Sequence, residues 1–180
     1  MLDILSVVTQ AKYGAPIVTA SGEDFDVDTV LDIRKASTRA GLPDIGRGLV
    51  LDTDFYTPLL KELKTVSVSG STAELREGVL TKLAGFAVRE TAILPENGER
   101  LKGFVCTPDA ELVAMRYLQP QKSHDYHRAE AIADPETGLT IGLRQWYDKD
   151  TGTDKVILEA LYGYQVGNAA ALKRIVGEEA

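Results

Sequence analysis

The feature that most constrains the fold is a complete set of helix boundary signals between residues 25 and 43. Asp26 is a residue type that caps helix amino termini, and Phe25 and Val30 on either side of it have the spacing of a hydrophobic staple. Gly41 followed by a proline two residues later is the usual order at the end of a helix. The pattern therefore predicts a helix that begins after Asp26 and ends before Gly41.

A buried strand and a second helix are predicted directly after this first helix. Residues 48–52 have the sequence GLVLD, a short apolar run that is typical of a buried strand. Thr57 followed by Pro58 predicts the start of a short helix, because proline is tolerated best in the first helical turn. Residues 25–63 therefore predict a packed α/β unit that carries no obvious reactive side chain.

The flanking regions supply further elements of both kinds. Residues 1–12 carry leucine and valine at helical spacing and predict an amino-terminal helix. Strands are predicted within residues 80–90 and over residues 102–106. A helix is predicted over residues 107–116, since a threonine suits its N-cap and a proline its first position.

The carboxyl-terminal third predicts a long β-hairpin, because apolar and polar residues alternate on both sides of a polar turn. The alternating residues are Leu139, Ile141 and Leu143 in the first strand, and Val156, Leu158, Ala160, Tyr162 and Tyr164 in the second. The secondary structure of residues 168–176 is not decided by the sequence: their alanines favour a helix, but a strand is also compatible.

Composition limits the classes of function. The 180 residues carry 20 basic and 27 acidic side chains, so the net charge is −7. A nucleic-acid reader usually carries a basic face that displaces counterions from phosphates, so no sequence-specific nucleic acid is expected as a partner. The apolar runs are far shorter than a membrane span, and the single Cys106 excludes an internal disulfide framework.

The residues with reactive side chains do not form a recognised catalytic motif. His124 and His127 stand three apart, whereas paired metal ligands on a helix stand four apart. Ser123 and Asp125 flank His124, but a catalytic relay needs side chains from separate segments. The chain is therefore expected to be no enzyme and to bind no metal or cofactor. Two alternatives stay open: a small cytosolic hydrolase that uses Cys106 or the histidine loop, and a binding module that adds a strand at an exposed edge.

The acidic turn of the predicted hairpin resembles a calcium loop only weakly. Counted from Asp148, Gly152 falls at the fifth position, whereas a calcium loop needs glycine at the sixth. Asp150 and Asp154 are therefore expected to lie in a solvated turn.

Four aromatic residues on the hairpin are the candidate site for contact between subunits: Trp146, Tyr147, Tyr162 and Tyr164. Tryptophan and tyrosine contribute much of the binding energy where two protein surfaces meet. They also suit a hydrophobic core, and both interpretations stay open. A long hairpin edge needs to be covered, paired or charged, which favours an interface.

Several of these segments together resemble the major capsid (coat) proteins of tailed phages. The segments are Leu42-Pro43, Arg47 with Leu49-Val50-Leu51, Leu59-Leu60-Lys61, residues 75–78, residues 84–88, Ile93-Leu94-Pro95, residues 142–148 and residues 162–166. The resemblance is one of hydrophobic and turn positions, and it extends over most of the chain.

The resemblance implies an α+β fold of the phage major-capsid type with two lobes. Residues 13–120 together with 166–180 would form an axial lobe, and residues 1–12 together with 121–165 a peripheral lobe with the long hairpin. Coat proteins normally begin with an extended amino-terminal arm, an extended loop and a long spine helix, and by this resemblance only the end of that region would be present here.

The resemblance also implies a structural function. The protein would self-assemble into the icosahedral head shell that encloses phage DNA, and its partners would be copies of itself in pentamers and hexamers. It would be located in the virion capsid, and in the host cytoplasm before assembly, without a membrane partner.

Overall fold

A computed structural model describes residues 2–66, 80–95, 98–119 and 126–178, which form both helices and strands. The helices are α1 (Leu2–Leu5), α2 (Gln10–Tyr13), α3 (Val27–Arg39), α4 (Thr53–Val66) and a 3-10 turn (Ala169–Ala171). The strands are β1 (Val18–Ala20), β2 (Gly48–Asp52), β3 (Lys82–Leu83), β4 (Phe86–Thr91), β5 (Leu101–Cys106), β6 (Glu111–Arg116), β7 (Arg128–Ala133), β8 (Thr140–Asp148), β9 (Thr153–Glu159), β10 (Leu161–Val166) and β11 (Leu172–Gly177). The predicted α+β class is confirmed. In these described ranges, every helix is too short or too polar to cross a lipid bilayer.

The chain divides into two compact units. Met1–Glu111 and Val166–Ala180 form the first unit, and Leu112–Gln165 forms the second. The first is built on a six-stranded sheet, and the second on a three-stranded sheet. The predicted assignment of parts of the chain to an axial and a peripheral lobe stays a prediction.

The sheet of the first unit has the strand order β1-β11-β5-β2-β4-β3. β2 lies inside it, in parallel with β4 and antiparallel to β5, as its continuous apolar sequence predicts. Leu49 and Leu51 are buried on one side of β2, and Val50 packs on the other.

Two clusters of buried side chains surround this sheet. The larger includes residues on or beside α3 and α4, namely Phe25, Val30, Ile33, Phe55, Tyr56 and Leu59, together with Leu49 and Leu51. The smaller joins the amino-terminal helices to β5 and β11 through Val8, Tyr13, Leu101, Phe104, Ala110, Ala171 and Leu172. The first unit therefore has a hydrophobic core of its own.

The predicted start of α3 is confirmed. The carboxylate of Asp26 accepts hydrogen bonds from the backbone N–H of Thr29 at 2.7 Å and from its hydroxyl at 2.6 Å. Phe25 and Val30, the two residues of the predicted staple, lie in the same buried cluster. These hydrogen bonds hold the pKa of Asp26 below its ordinary value of 3.8.

Replacing Asp26 by alanine is expected to lower the free energy of unfolding by about 1 kcal/mol at neutral pH, because the N-cap bond is lost. The pKa of Asp26 is lowered in the folded state, so its contribution is present above pH 3.8 and is lost as the pH falls through the folded pKa. Urea unfolding of the wild type and of Asp26→Ala between pH 7 and pH 2 measures this difference. Asp26→Asn is the control, since asparagine also caps helices but does not titrate. A difference that is the same at every pH would contradict the assignment.

The predicted end of α3 is also confirmed. Gly41 has a φ of 82°, a left-handed conformation that glycine adopts without strain. The N–H groups of Gly41 and Leu42 donate to the carbonyl oxygens of Thr38 and Ser37, each at 3.1 Å. This is the Schellman arrangement, which satisfies the last carbonyl groups of a helix.

Among the described residues of the first unit, Arg47 and Arg174 are buried arginines. Arg47 donates from Nε to the carbonyl oxygen of Pro43 at 2.5 Å, in the loop that follows α3. Arg174 on β11 pairs with Glu99 at 2.5 Å and donates to the carbonyl oxygen of Gly14 at 3.0 Å. Each guanidinium thus binds a carbonyl oxygen just past the end of a helix, Pro43 after α3 and Gly14 after α2.

Two of the predicted helices differ in extent. The helix predicted over residues 1–12 is divided into α1 and α2 by a turn. α4 begins at Thr53, ahead of the predicted start at Thr57, so Pro58 lies inside it. The preceding Asp52 accepts a hydrogen bond from the Thr53 N–H at 2.8 Å.

The prediction of a helix over residues 107–116 is wrong, because part of this segment is a strand. Only a turn follows β5, and Glu111–Arg116 forms β6, which pairs with β10. The threonine and proline start signal describes a turn equally well, and the backbone hydrogen bonds to β10 decide the outcome.

The predicted hairpin is confirmed between β8 and β9, but its second strand is shorter than predicted. The strand is interrupted at Ala160, after which β10 belongs to a separate two-stranded sheet. Residues 168–176, which the sequence left open, form the 3-10 turn and β11.

Candidate functional site

The second unit is organised around a three-stranded antiparallel sheet with the order β7-β8-β9. β8 pairs with β7 on one side and with β9 on the other, both in continuous register. Side chains alternate along each strand, and directly opposite residues share a face. The register therefore assigns every side chain of the sheet to one of two faces.

One face, called here the covered face, carries Arg144 and Trp146 and is overlaid by neighbouring segments of the same unit. The guanidinium of Arg144 donates to the carbonyl oxygen of Leu118 at 3.1 Å and lies 5.8 Å from the centre of the Tyr126 ring. Tyr126 meets Trp146 edge to face, with ring centres 6.1 Å apart. A methyl group at Gly142 would come within 2.9 Å of the Tyr117 ring, so glycine is needed for this close approach.

The opposite face, called here the apolar face, carries a row of hydrophobic side chains that crosses all three strands. Its members are Ile132, Ile141, Leu143, Val156 and Leu158. Ile132 lies opposite Ile141, and Leu143 lies opposite Leu158. Leu158 is 66% exposed and Val156 is 56% exposed. Exposed rows of this kind mark contact surfaces.

The second unit lacks a hydrophobic core of its own in the described part of the chain. All buried hydrophobic residues in the described ranges belong to the first unit. Of the fifteen large hydrophobic residues that are exposed in the described ranges, twelve lie within Leu112–Gln165, the second unit. A sheet of three strands gains stability by covering its hydrophobic face. Contacts that cover the apolar face would therefore stabilise the second unit.

The two-stranded sheet of β6 and β10 also exposes hydrophobic residues. Leu112 on β6 is largely exposed, and Val113 on β6 and Leu161 on β10 are about half exposed. Tyr162 and Tyr164 stack with ring centres 6.4 Å apart and planes at 24°.

The four aromatic residues predicted as interface residues do not form one cluster. Trp146 lies on the covered face, and Tyr147 lies on the apolar face, where it is about half exposed. Tyr162 and Tyr164 lie on β10. Their role between subunits stays a prediction. The aliphatic residues of the apolar face were not among the predicted interface residues, although the alternation around β8 and β9 was a signal for them.

The structure does not bring Cys106 and the histidine loop, the residues of the hydrolase alternative, into one described site. Cys106 ends β5, where burial and, to a smaller extent, Glu111 raise the pKa of its thiol, which opposes thiolate formation. His127 is exposed ahead of β7. Ser123, His124 and Asp125 lie outside the described residues. In the described ranges, groups of three or more His, Cys, Asp or Glu placed to hold a metal ion do not occur.

The acidic turn between β8 and β9 uses its carboxylates for local contacts. Asp148 accepts a hydrogen bond from the Asp150 N–H at 3.0 Å and an ion-paired bond from Lys155. The Lys155 bond first, then a hydrogen bond from Thr151 and the one from the Asp150 N–H, lower the pKa of Asp148 to about 2. Asp148 is thus ionised at neutral pH, where it anchors the turn.

Comparison with known proteins gives matches at the level of structure. Neither a family model nor a curated protein matches the sequence. The capsid of the cyanophage P-SCSP1u matches with a TM-score of 0.58 and 16% identity, over 96% of this chain and 50% of that chain. The chain has the fold of phage capsid proteins.

Two further phage structures share this capsid fold. A structure of Mycobacterium phage Che8 matches with a TM-score of 0.54 and 18% identity, over 97% of this chain and 55% of that one. The mature capsid of bacteriophage PhiM1 matches with a TM-score of 0.55 and 12% identity, over 90% of this chain and 51% of that chain. The predicted capsid-type fold is therefore confirmed, and the chain spans about half the length of the chains it matches.

Proposed function

We propose that this chain is a structural protein that self-associates to form a phage head shell. The observation that carries the proposal is the capsid fold, which extends over 90–97% of the chain in three phage structures. The rings of the shell would be pentamers and hexamers, closed by contacts between different surfaces of neighbouring copies. The resulting icosahedral shell would enclose DNA.

The exposed hydrophobic surface of the second unit supports this proposal. The apolar face places five aliphatic side chains in one row, and we propose that copies of the chain cover this row in the assembly. Each contact can be weak, because many contacts act together in a closed shell. A monomer, in contrast, would leave this row in water.

The proposal includes the location and the remaining partners. The protein would lie in the virion capsid, and in the host cytoplasm before assembly, and it would have no enzymatic activity. A net charge of −7 suits a shell that holds DNA without binding it sequence-specifically.

Trp146→Ala is expected to lower stability and Tyr147→Ala to weaken self-association, because these neighbours lie on opposite faces of the sheet. Trp146→Ala removes the contact with Tyr126 and is expected to lower the free energy of unfolding by about 1–2 kcal/mol. Tyr147→Ala is expected to change it by less than about 0.5 kcal/mol and to weaken self-association. Chemical unfolding and sedimentation velocity of both variants measure the two effects. Equal effects of both variants would contradict the assignment of faces.

Light scattering after gel filtration, over a range of protein concentrations, tests the proposed function. Self-association is expected to raise the mass above the 19.5 kDa of one chain, towards five and six copies. A mass of 19.5 kDa at every concentration would contradict self-association.

A further inference from the structure

We propose that β9 pairs antiparallel with β9 of a second copy of this chain, about a two-fold axis at Ile157. The inference rests on the proposed self-association and names one contact through which it would occur. The pairing would join two three-stranded sheets into one sheet of six strands.

β9 is an open edge within the described part of the chain. It is an outer strand of its sheet and pairs there with β8 alone, so its other side presents a row of backbone N–H and C=O groups. Val156, Ile157 and Leu158 at its centre are three consecutive exposed hydrophobic residues, and Ile157 is 45% exposed. Edge strands that avoid pairing usually carry a charge, a proline or a bulge at this place. The centre of β9 carries none of these, which favours a strand partner.

The sequence of β9 is complementary to itself when the axis passes through Ile157. Val156 then lies opposite Leu158 of the second copy, and both belong to the apolar face. Lys155 lies opposite Glu159 of the second copy, so a positive side chain meets a negative one. The two-fold axis repeats both pairs. Hydrophobic and opposite-charge pairs across antiparallel strands are the stabilising combinations, which identifies the occupant of this edge as a second copy.

A different register loses this complementarity. With the axis at Val156, Lys155 would lie opposite Ile157, and Asp154 opposite Leu158. Both pairs would set a charge against a hydrophobic side chain. The sequence therefore favours the axis at Ile157 over the axis at Val156.

The ion pairs already present in the chain are compatible with this arrangement. Lys155 pairs with Asp148, and Glu159 pairs with Arg144. An ammonium group has three donors and a carboxylate has about four acceptor positions, so each keeps capacity for a second partner. The contact between copies would extend these pairs into a network.

A disulfide formed at the axis tests the pairing directly. Full-length protein carrying Ile157→Cys and Cys106→Ser would place two cysteines opposite each other, with about 4.5–5.5 Å between Cα atoms, which suits a disulfide. Leu31→Cys with Cys106→Ser is the matched control, because Leu31 is 46% exposed but lies on α3 of the first unit. Under mild oxidation, the Ile157 variant is expected to give about tenfold more disulfide-linked dimer than the control, since only its cysteines meet within bonding distance. Equal yields, or a higher yield at Leu31, would overturn the pairing in favour of another contact.

A second pair of variants tests the register. Val156→Cys and Leu158→Cys, each with Cys106→Ser, are expected to form a disulfide with each other when mixed. Either variant alone should form far less, because residues two positions out of register lie more than about 7 Å apart. A mixture that gives no more disulfide than the separate variants would overturn the register.

Light scattering on the same samples separates this inference from the proposed function. Association without preferred crosslinking at Ile157 would overturn the strand pairing and leave self-association in place. A single-chain mass at every concentration would overturn both.

Discussion

Replacing Ile141 and Leu158 together by aspartate is expected to abolish self-association while the chain stays folded. Both residues lie on the apolar face, with Ile141 44% and Leu158 66% exposed, so their carboxylates would stay in water in the monomer. In the assembly the same carboxylates would be buried without a partner. Such burial costs several kcal/mol, which weakens each contact by at least about a hundredfold.

Light scattering and thermal unfolding of the double variant measure the two parts of this prediction. Leu31→Asp is the matched control, since Leu31 on α3 is 46% exposed but belongs to the first unit. The control is expected to associate like the wild type. Undiminished association of the Ile141→Asp/Leu158→Asp variant would show that the apolar face is not an assembly surface.

Replacing Gly103 by alanine is expected to cause a large loss of stability. Gly103 lies on β5 between β2 and β11, and a methyl group there would come within 2.6 Å of the Val50 carbonyl oxygen and 2.9 Å of the Leu51 side chain. A backbone atom cannot move aside as a flexible side chain can. We expect a loss of about 3 kcal/mol in the free energy of unfolding, or roughly 6–12 °C in Tm.

Gly163→Ala is the control for this prediction. Gly163 also lies in a strand, but a methyl group there meets no atom within 4 Å. Its unfolding free energy is expected to change by less than about 1 kcal/mol. Thermal unfolding of both variants tests the difference, and equal Tm values would contradict the close approach of β5 and β2.

The α3–β2 region was predictable because its signals are local. The N-cap at Asp26, the staple and the glycine at position 41 each act within a few residues, and β2 has the predicted bounds. β6 was not predictable in this way, because its backbone pairs with β10, about fifty residues later in the sequence. The buried Arg174 likewise depends on Glu99 and Gly14, which are distant in sequence.

The candidate site was predictable only in part for the same reason. Alternation identified the hairpin and its aromatic residues, since strand period is visible in the sequence. Alternation could not show which face of the sheet is exposed to solvent. That depends on Tyr117 and Tyr126, which lie on the covered face but precede the hairpin in sequence. The contribution of Ile132 to the apolar face depends on the register of β7, which no local pattern specified.

We propose that copies of this chain assemble into closed rings and shells. Negative-stain electron microscopy of the concentrated protein, with two-dimensional class averages, tests it most directly. We expect rings with five-fold and six-fold symmetry, alone or joined into curved shells. Averages that show only single chains, or aggregates without rotational symmetry, would contradict the claim.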